Sequence, residues 1–474
     1  MRRFAILVTI YGACCASWAT AAPTEGYAGR LQRYDQGSPA SRDHATKAQY
    51  DAPRLRRSSQ TKRVHYQEPA PEYHEEVTGQ MVEGPMSSGP FADEWAGSAP
   101  WDHSHGEYCD SCYDGCYDCG GCGPMPGFWG RAEYLYWWVR GGNTPPLVTT
   151  SPNGTPQDQA GVLPDATVLF GDQRLNASGR SGARFTLGYW FNGCEPIGID
   201  SSVFFLGKVN DQFFAESNGD PILGRPFFNV NTQAQDAQLI AFPGIVSGNI
   251  RVGSDSRAYG GDVNIRRVMF SDQWAQFQVL AGYRYFRLAE SLNIHSNTVA
   301  EDPQGPVPVG TTFAISDAFD VRNNFNGGQL GVNAQMINGC WTLDLLAKLA
   351  IGSVSQTVTI DGSTTTTVPG GGAVTSQGGI LALDSNIGSH HRNRFSVMPE
   401  IGADLRYQLT PLWRLNFGYT LMIVTNVVRP GDQVNLNIDP NQFPPNLGGT
   451  QPTFAFHDSD VWLQGINFGI ECNF

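Results

Sequence analysis

The chain is expected to be all-β, an antiparallel transmembrane β-barrel of the outer-membrane type with about ten strands, preceded by a disordered N-terminal arm. Three observations predict this. In the final stretch, WLQGINFGIECNF, Trp462, Ile466, Phe468, Ile470, Cys472 and Phe474 share one face, while Leu463, Gly465, Asn467, Gly469, Glu471 and Asn473 share the other. An apolar outer face, a small or polar inner face and a terminal aromatic are how such a barrel closes. Mean hydropathy is −0.28, and past the first 22 residues no apolar run reaches the roughly 18 needed for a spanning helix. Any membrane crossing must then use strands closed into a ring, whose lumen-facing residues are free to be polar. The third observation is the spacing of the alternating segments, which sorts the connections into long and short ones.

Residues 1–21 read as a secretory signal. Arg2 and Arg3 precede an apolar stretch from Phe4 to Trp18, and the small residues Ala19, Thr20, Ala21 and Ala22 follow, with cleavage after Ala21. A lipidated Cys14 or Cys15 is the lesser alternative, because Tyr11 and Gly12 stand where a lipoprotein signal wants aliphatics. Export predicts the cell outer membrane as the location, reached through a compartment where thiols oxidise. Residues 22–108, as in QYDAPRLRRSSQTKRVHYQEPAPEYHEEV, have few aliphatics and no sustained period. They cannot bury enough apolar surface to offset their conformational entropy and read as a periplasmic arm.

Residues 109–123 carry Cys109, Cys112, Cys116, Cys119 and Cys122 in YCDSCYDGCYDCGGCG. Two CxxC pairs suggest tetrahedral zinc, but the gap from Cys112 to Cys116 leaves no room for the usual intervening finger. The order of spacings also departs from an iron-sulfur run. Local or intermolecular disulfides are the favoured reading, over metal binding and free thiols, and the odd number favours a link to another molecule. No metal or cofactor is assigned.

Residues 124–474 alternate apolar and polar in ten segments: 131–139, 182–191, 197–207, 258–270, 274–288, 324–337, 340–353, 395–409, 412–424 and 459–474. The intervals run long, short, long, short: 140–181, NGCEP, 208–257, SDQ, 289–323, NG, 354–394, TP and 425–458. Short periplasmic turns and long external loops are the rule for outer-membrane barrels, and a soluble sandwich has no reason to sort its loops this way. The 208–257 interval leaves room for another hairpin, so twelve strands are the alternative. In the eighth segment Val397, Ile401, Ala403, Leu405, Tyr407 and Leu409 face lipid, and Met398, Glu400, Gly402, Asp404, Arg406 and Gln408 face in. The ninth sends Trp413, Leu415, Phe417, Tyr419, Leu421 and Ile423 out, and Arg414, Asn416, Gly418 and Thr420 in. Tyr134, Tyr136, Trp138, Tyr189, Phe191, Tyr283 and Tyr285 suit interfacial girdles.

This register delivers Glu133, Arg184, Asp200, Asp262, Arg266, Arg284, Asp344, Lys348, Glu400, Asp404, Arg406, Arg414 and Glu471 to the lumen. Barrels of about eight strands are filled by side chains and porins of about sixteen hold water. At ten, a salt-bridged, largely occluded lumen is expected ahead of an open pore, and a narrow or ligand-gated channel is the sharper alternative. His390, His391, His457, Asp458 and Asp460 lie near external strand ends, but GxSxG, HExxH and phosphate-binding glycine motifs are missing, and the chain is not read as an enzyme. A net charge of −13 argues against nucleic acid.

Cys194, Cys340 and Cys472 fall at or near the short turns, at the end of the barrel that would adjoin the cysteine-rich segment. All eight cysteines from Cys109 onward are therefore disulfide candidates, cross-linking arm to barrel or barrels to one another. The expected partners are outer-membrane lipid and either disulfide-linked envelope proteins or a homo-oligomer. The external loops, as in TVTIDGSTTTTVPGGGAVTSQGG, suit flexible surface.

FWGRAEYLYWWVRG at 128–141, PPLVTTSP at 145–152, GARFTLGYWF at 182–191, GYRYFRLAESL at 282–292, NNFNGGQLG at 323–331 and VRPGDQVNLNIDPNQFP at 428–444 resemble the bacterial family named putative beta-barrel porin type 7. The likeness spans about Gly127 to Phe474 and implies an outer-membrane barrel; it carries no functional residues across. A porin-like or structural role in the envelope is expected, with surface adhesion through external loops and an occluded lumen as the rival.

Overall fold

The computed structural model describes residues 126–191, 196–445 and 448–474. The signal, the arm, Cys109, Cys112, Cys116, Cys119, Cys122 and Cys194 lie outside the described residues. Ten long strands form the wall: β1 (Gly127–Val139), β2 (Arg180–Trp190), β3 (Ile197–Ser217), β4 (Val246–Ser271), β5 (Ala275–Ala300), β6 (Thr312–Asn338), β7 (Trp341–Thr367), β8 (Gly388–Gln408), β9 (Trp413–Val428) and β10 (Asp458–Asn473). Each pairs antiparallel with the next, and β10 pairs back onto β1 from Trp129↔Asn473 to Val139↔Leu463, so the ring is closed. Closure removes the unpaired strand edge that hydrocarbon would not tolerate.

Each of the ten sequence segments falls, to within a residue at its ends, in one of these strands, and most of the strands are longer than their segments. β6 and β7 have 27 residues. At about 3.4 Å per residue and a tilt of about 45° such a strand rises roughly 65 Å, more than twice a hydrocarbon core of about 30 Å. The reason shows in β5. From Phe277 to Tyr285 the outer face is Phe277, Val279, Ala281, Tyr283 and Tyr285, and the buried inner face includes Gln276, Gln278 and Arg284. Past Phe286 the polarity inverts. Arg287, Ser291, Asn293, His295 and Asn297 then face out, while Phe286, Leu288, Leu292 and Ile294 are buried inside. β7 does the same: Leu349 and Ile351 face out opposite Lys348, and further along Ser355, Thr357 and Thr359 face out opposite Val354, Val358 and Ile360. The backbone keeps its two-residue period throughout. What changes is the outer solvent, lipid for the first part and water for the second, so the apolar face moves from outside to inside.

Two corrections follow. The interval 289–323 is not a long loop, since β5 and β6 occupy it except for 301–311. The 208–257 interval does hold a hairpin, Leu223–Asn229 with Ala234–Ala241, but it does not join the ring. It belongs to a small separate sheet with Val148–Thr150, Thr167–Phe170 and Asn437–Ile438, all from connections at the far end of the barrel. Leu147, Phe170, Leu223, Phe227, Ile240, Leu381 and Ile438 from these connections pack with Ile250, Val252, Leu292, Ile294, Phe319, Val321, Val358 and Ile360 of the wall in one buried cluster. The extension beyond the lipid belt therefore has a core like that of a soluble domain.

Aromatic pairs mark both margins of the belt. Phe128 with Tyr189 and Trp341 with Tyr407, each at 4.7 Å, lie near the termini and short turns. Tyr136 with Trp138 at 5.1 Å and Tyr259 with Tyr285 at 6.3 Å lie near the polarity inversion. Such girdles place amphipathic rings at headgroup level.

Candidate functional site: the filled bore

The bore is built in three layers. Nearest the termini the inward positions carry charge in mutually paired sets. Arg131 donates through Nε and Nη2 to Glu471 Oε2 at 2.9 and 2.6 Å, and Arg414 Nη1 reaches the other oxygen at 3.3 Å. Arg184 grips Glu133 with two nitrogens at 2.5 and 2.9 Å, and Asn416 donates to the same carboxylate at 2.9 Å. Arg266 pairs with Asp200, and Arg406 with Asp344 at 2.6 Å. Asp262 takes Arg284 at 2.8 Å and Lys348 at 2.9 Å, while Arg284 also lies 2.6 Å from Glu400. Asp404 lies 3.9 Å from Arg131 and accepts from Asn467 at 3.3 Å. Arg131, Arg184, Arg266, Arg284, Lys348, Arg406 and Arg414 thus balance Glu133, Asp200, Asp262, Asp344, Glu400, Asp404 and Glu471 one for one. Balance is what burial demands, because an unpaired charge away from water costs several kcal/mol. The floor is narrowed by Trp129, whose indole lies across Gly188 so closely that a Cβ there would stand 2.3 Å from the ring.

The second layer is apolar: Leu135, Trp137, Phe204, Phe286, Phe325, Met398 and Met422 are fully or almost fully buried in one cluster. Trp137 packs on Phe204 at 5.5 Å and donates its indole N–H to Asn467 at 3.1 Å. The third layer is the plug formed by the long connections, tied to the wall by polar links. Arg429 grips both oxygens of Glu290 on β5. Asn323 on β6 exchanges two bonds, each 2.8 Å, with the backbone of Val428, the last residue of β9, from which the connection carrying Arg429 leaves the wall. Asp317 on β6 accepts from Arg225 at 2.6 Å and, through its other oxygen, from the backbone N–H groups of Ile380, Leu381 and Ala382 at 2.9, 2.8 and 2.7 Å. A cavity runs through the charged layer, from Trp129 up to Trp137, Phe204 and Met422 of the aromatic layer, with about 60 Å³ accessible to the centres of water molecules, room for about four or five waters.

The lumen candidates read from sequence are therefore brought together as buried, paired side chains, Arg414 being the most exposed at 36%. Sequence reasoning missed Arg131, which stands in phase with Glu133 and was open to the same alternation argument. It also missed Glu290 and Asp317, which sit beyond the polarity inversion, and Arg225 and Arg429, which come from connections without periodicity. The rim residues weighed for catalysis go to separate partners. His390 stacks on Phe454 at 3.7 Å, His391 sits between Thr357 and Ser389, Asp458 pairs with Arg392 and Arg394, and Asp460 accepts from the Asn426 N–H. Among the described residues no group of His, Cys, Asp and Glu forms a metal cluster. Of the candidate cysteines, Cys340 is disulfide-bonded. Cys472 is a correction: it is a free, buried thiol 3.8 Å from the Asn473 carbonyl, because wall packing near the chain end covers it. Outside the lipid belt, burial pushes the Asp432 carboxyl above the usual carboxylate range, helped by Glu290 and opposed by Ser459, Arg429 and His457.

Residues 129–474 match the family described as Putative beta barrel porin-7 (BBP7). No curated protein matches the chain. Among solved structures the chain is similar to the outer membrane protease OmpT from Escherichia coli, with 9% identity over 75% of this chain and 100% of that one and a TM-score of 0.37. It is similar to the P. putida toluene transporter TodX, with 8% identity over 74% and 91% and a TM-score of 0.16. A porin gives 10% identity over 74% and 100% with a TM-score of 0.12.

Proposed function

Because the chain belongs to the Putative beta barrel porin-7 family and is an outer-membrane barrel, we propose that it serves the envelope as a closed, structural barrel and not as a standing open pore. One observation carries this reading: the bore is obstructed in succession by paired charges around a small cavity, an aromatic layer and an apolar plug. A solute crossing it would have to break buried ion pairs at several kcal/mol each. The neutral balance of the charged layer also leaves no excess of one sign to select an ion. Planar-bilayer recording of the purified full chain tests it. No conductance steps above lipid background are expected, and stable steps would overturn the structural reading in favour of a channel. A gated channel is the second reading, favoured by the convergence on one wall residue, Asp317, of both Arg225 and the 380–382 backbone. It requires Asp317→Ala to conduct where the wild type does not.

A further inference from the structure

The outer surface at the polarity inversion is basic on one side. Across β4, β5 and β6 the register sets Arg257 opposite Ala289 and Ala289 opposite Arg322, and Tyr259 opposite Arg287. Arg257 and Arg322 therefore flank Ala289 in one outward row, and Arg287 stands two residues nearer the lipid belt on the central strand. With strands about 4.8 Å apart and outward positions about 7 Å apart along a strand, the three frame a patch roughly 10 Å by 7 Å, floored by the Ala289 methyl. Arg257 and Arg322 are exposed and Arg287 is half-buried.

None of the three is within 4 Å of a carboxylate among the described residues. The nearest acidic positions lie one outward step further from the belt: Asp255 is held by Lys208 at 2.8 Å, and Asp320 stands beside Arg322. Below the patch, Arg287 lies over the Tyr259 ring at 6.0 Å, and Tyr283 donates to Asn326 at 2.6 Å. At the same height β7 and β8 present Ser355, Thr357, His391 and Asn393, and no Lys or Arg among them.

We propose that Arg257, Arg287 and Arg322 bind the phosphate of an anionic outer-leaflet lipid, whose acyl chains lie along Val263, Ile265 and Leu330 of the belt. Guanidinium forks without a carboxylate in salt-bridge reach match phosphate oxygens. The patch touches the lipid-facing surface directly, so a headgroup is held at the level where its own chains would place it. This assignment does not depend on whether the bore conducts.

The test is native mass spectrometry of the full chain in zwitterionic micelles, titrated with diphosphoryl lipid A, with its dephosphorylated form and with inorganic phosphate. Wild type is expected to hold the diphosphoryl lipid at least tenfold more tightly than the dephosphorylated one, and equimolar inorganic phosphate is expected not to displace it. R257Q/R287Q/R322Q is expected to lose at least tenfold, and the corresponding triple lysine variant to keep most of the binding. Equal binding of the two lipids, a triple glutamine variant that binds like wild type, or displacement by inorganic phosphate each overturns the proposal. If the glutamine variant lacks the compact band of an unheated gel, Ala289→Trp decides in its place. It keeps all three charges and fills the floor, and unchanged binding there overturns the site.

Discussion

The guanidinium of Arg225, carried by a connecting hairpin, lies 2.6 Å from the carboxylate of Asp317 in the barrel wall, with side-chain exposures of 2% and 0%. The two residues are far apart in sequence, and their pairing fixes the plug to the ring. The pair is asymmetric. Asp317 is fully satisfied by three backbone N–H groups besides Arg225, whereas Nε and Nη1 of Arg225 have no hydrogen-bond partner.

Removing the two partners should therefore have unequal effects. Asp317→Ala strands a buried cation and three amides and is expected to cost about 3–5 kcal/mol. Arg225→Met leaves a carboxylate that still accepts three bonds and is expected to cost clearly less. The temperature at which the compact gel band disappears should fall in the order wild type, Arg225→Met, Asp317→Ala; the reverse order would mean that Arg225, not Asp317, is the anchor.

The charged layer should behave as a coupled unit. Asp262→Ala leaves Arg284 and Lys348 facing each other with Glu400 as their nearest remaining acid, at a cost of about 3–5 kcal/mol. Adding Lys348→Met removes one stranded cation. Urea titrations of both single variants and the double variant are expected to give a coupling of about 0.5–3 kcal/mol, and strict additivity would show that the ion pair contributes nothing.

The change of outer solvent along a strand can be tested with one residue type at two heights. Val263→Arg puts a cation against hydrocarbon and is expected to cost about 2–4 kcal/mol. Asn293→Arg, on the outer face beyond the inversion, is expected to stay within about 0.5 kcal/mol of wild type. Equal penalties in lipid vesicles would mean that the belt does not end near Tyr285.

Asp432 gives the pH dependence of the plug. Its folded-state affinity for the proton is raised by burial, so its contribution to stability is full below the ordinary aspartate range and is lost as pH rises through the elevated folded value. Asp432→Asn is expected to match wild type under acid conditions and to be the more stable protein at neutral pH. Melting curves at pH 3.5 and 7 check this, and a variant less stable than wild type at neutral pH would show that the hydrogen bond to Ser459 outweighs burial.

The lipid-facing part of the fold was legible because lipid imposes one rule on every strand there. Ile466, Phe468 and Ile470 outside, with Asn467, Gly469 and Glu471 inside, are enough to set strand, register and facing. The extension was not legible by that rule, because Phe286, Leu292 and Ile294 continue the period with its sign reversed, which looks like the end of a strand unless a second solvent is allowed for. Among site residues, Glu133 and Asp344 could be found by phase alone. Arg225 and Arg429 could not, since their position depends on how aperiodic connections fold back, and that is decided by packing against wall residues remote in sequence.

The strand pair that closes the ring carries its own consequence. Arg131 and Trp137 on β1 bond to Glu471 and Asn467 on β10, so the first and last strands are fastened by side chains as well as by their ladder. Parting them to release a greasy cargo sideways would break a salt link, an indole bond and a run of amide pairs together, which leaves this junction unsuited to serve as a side door into the bilayer.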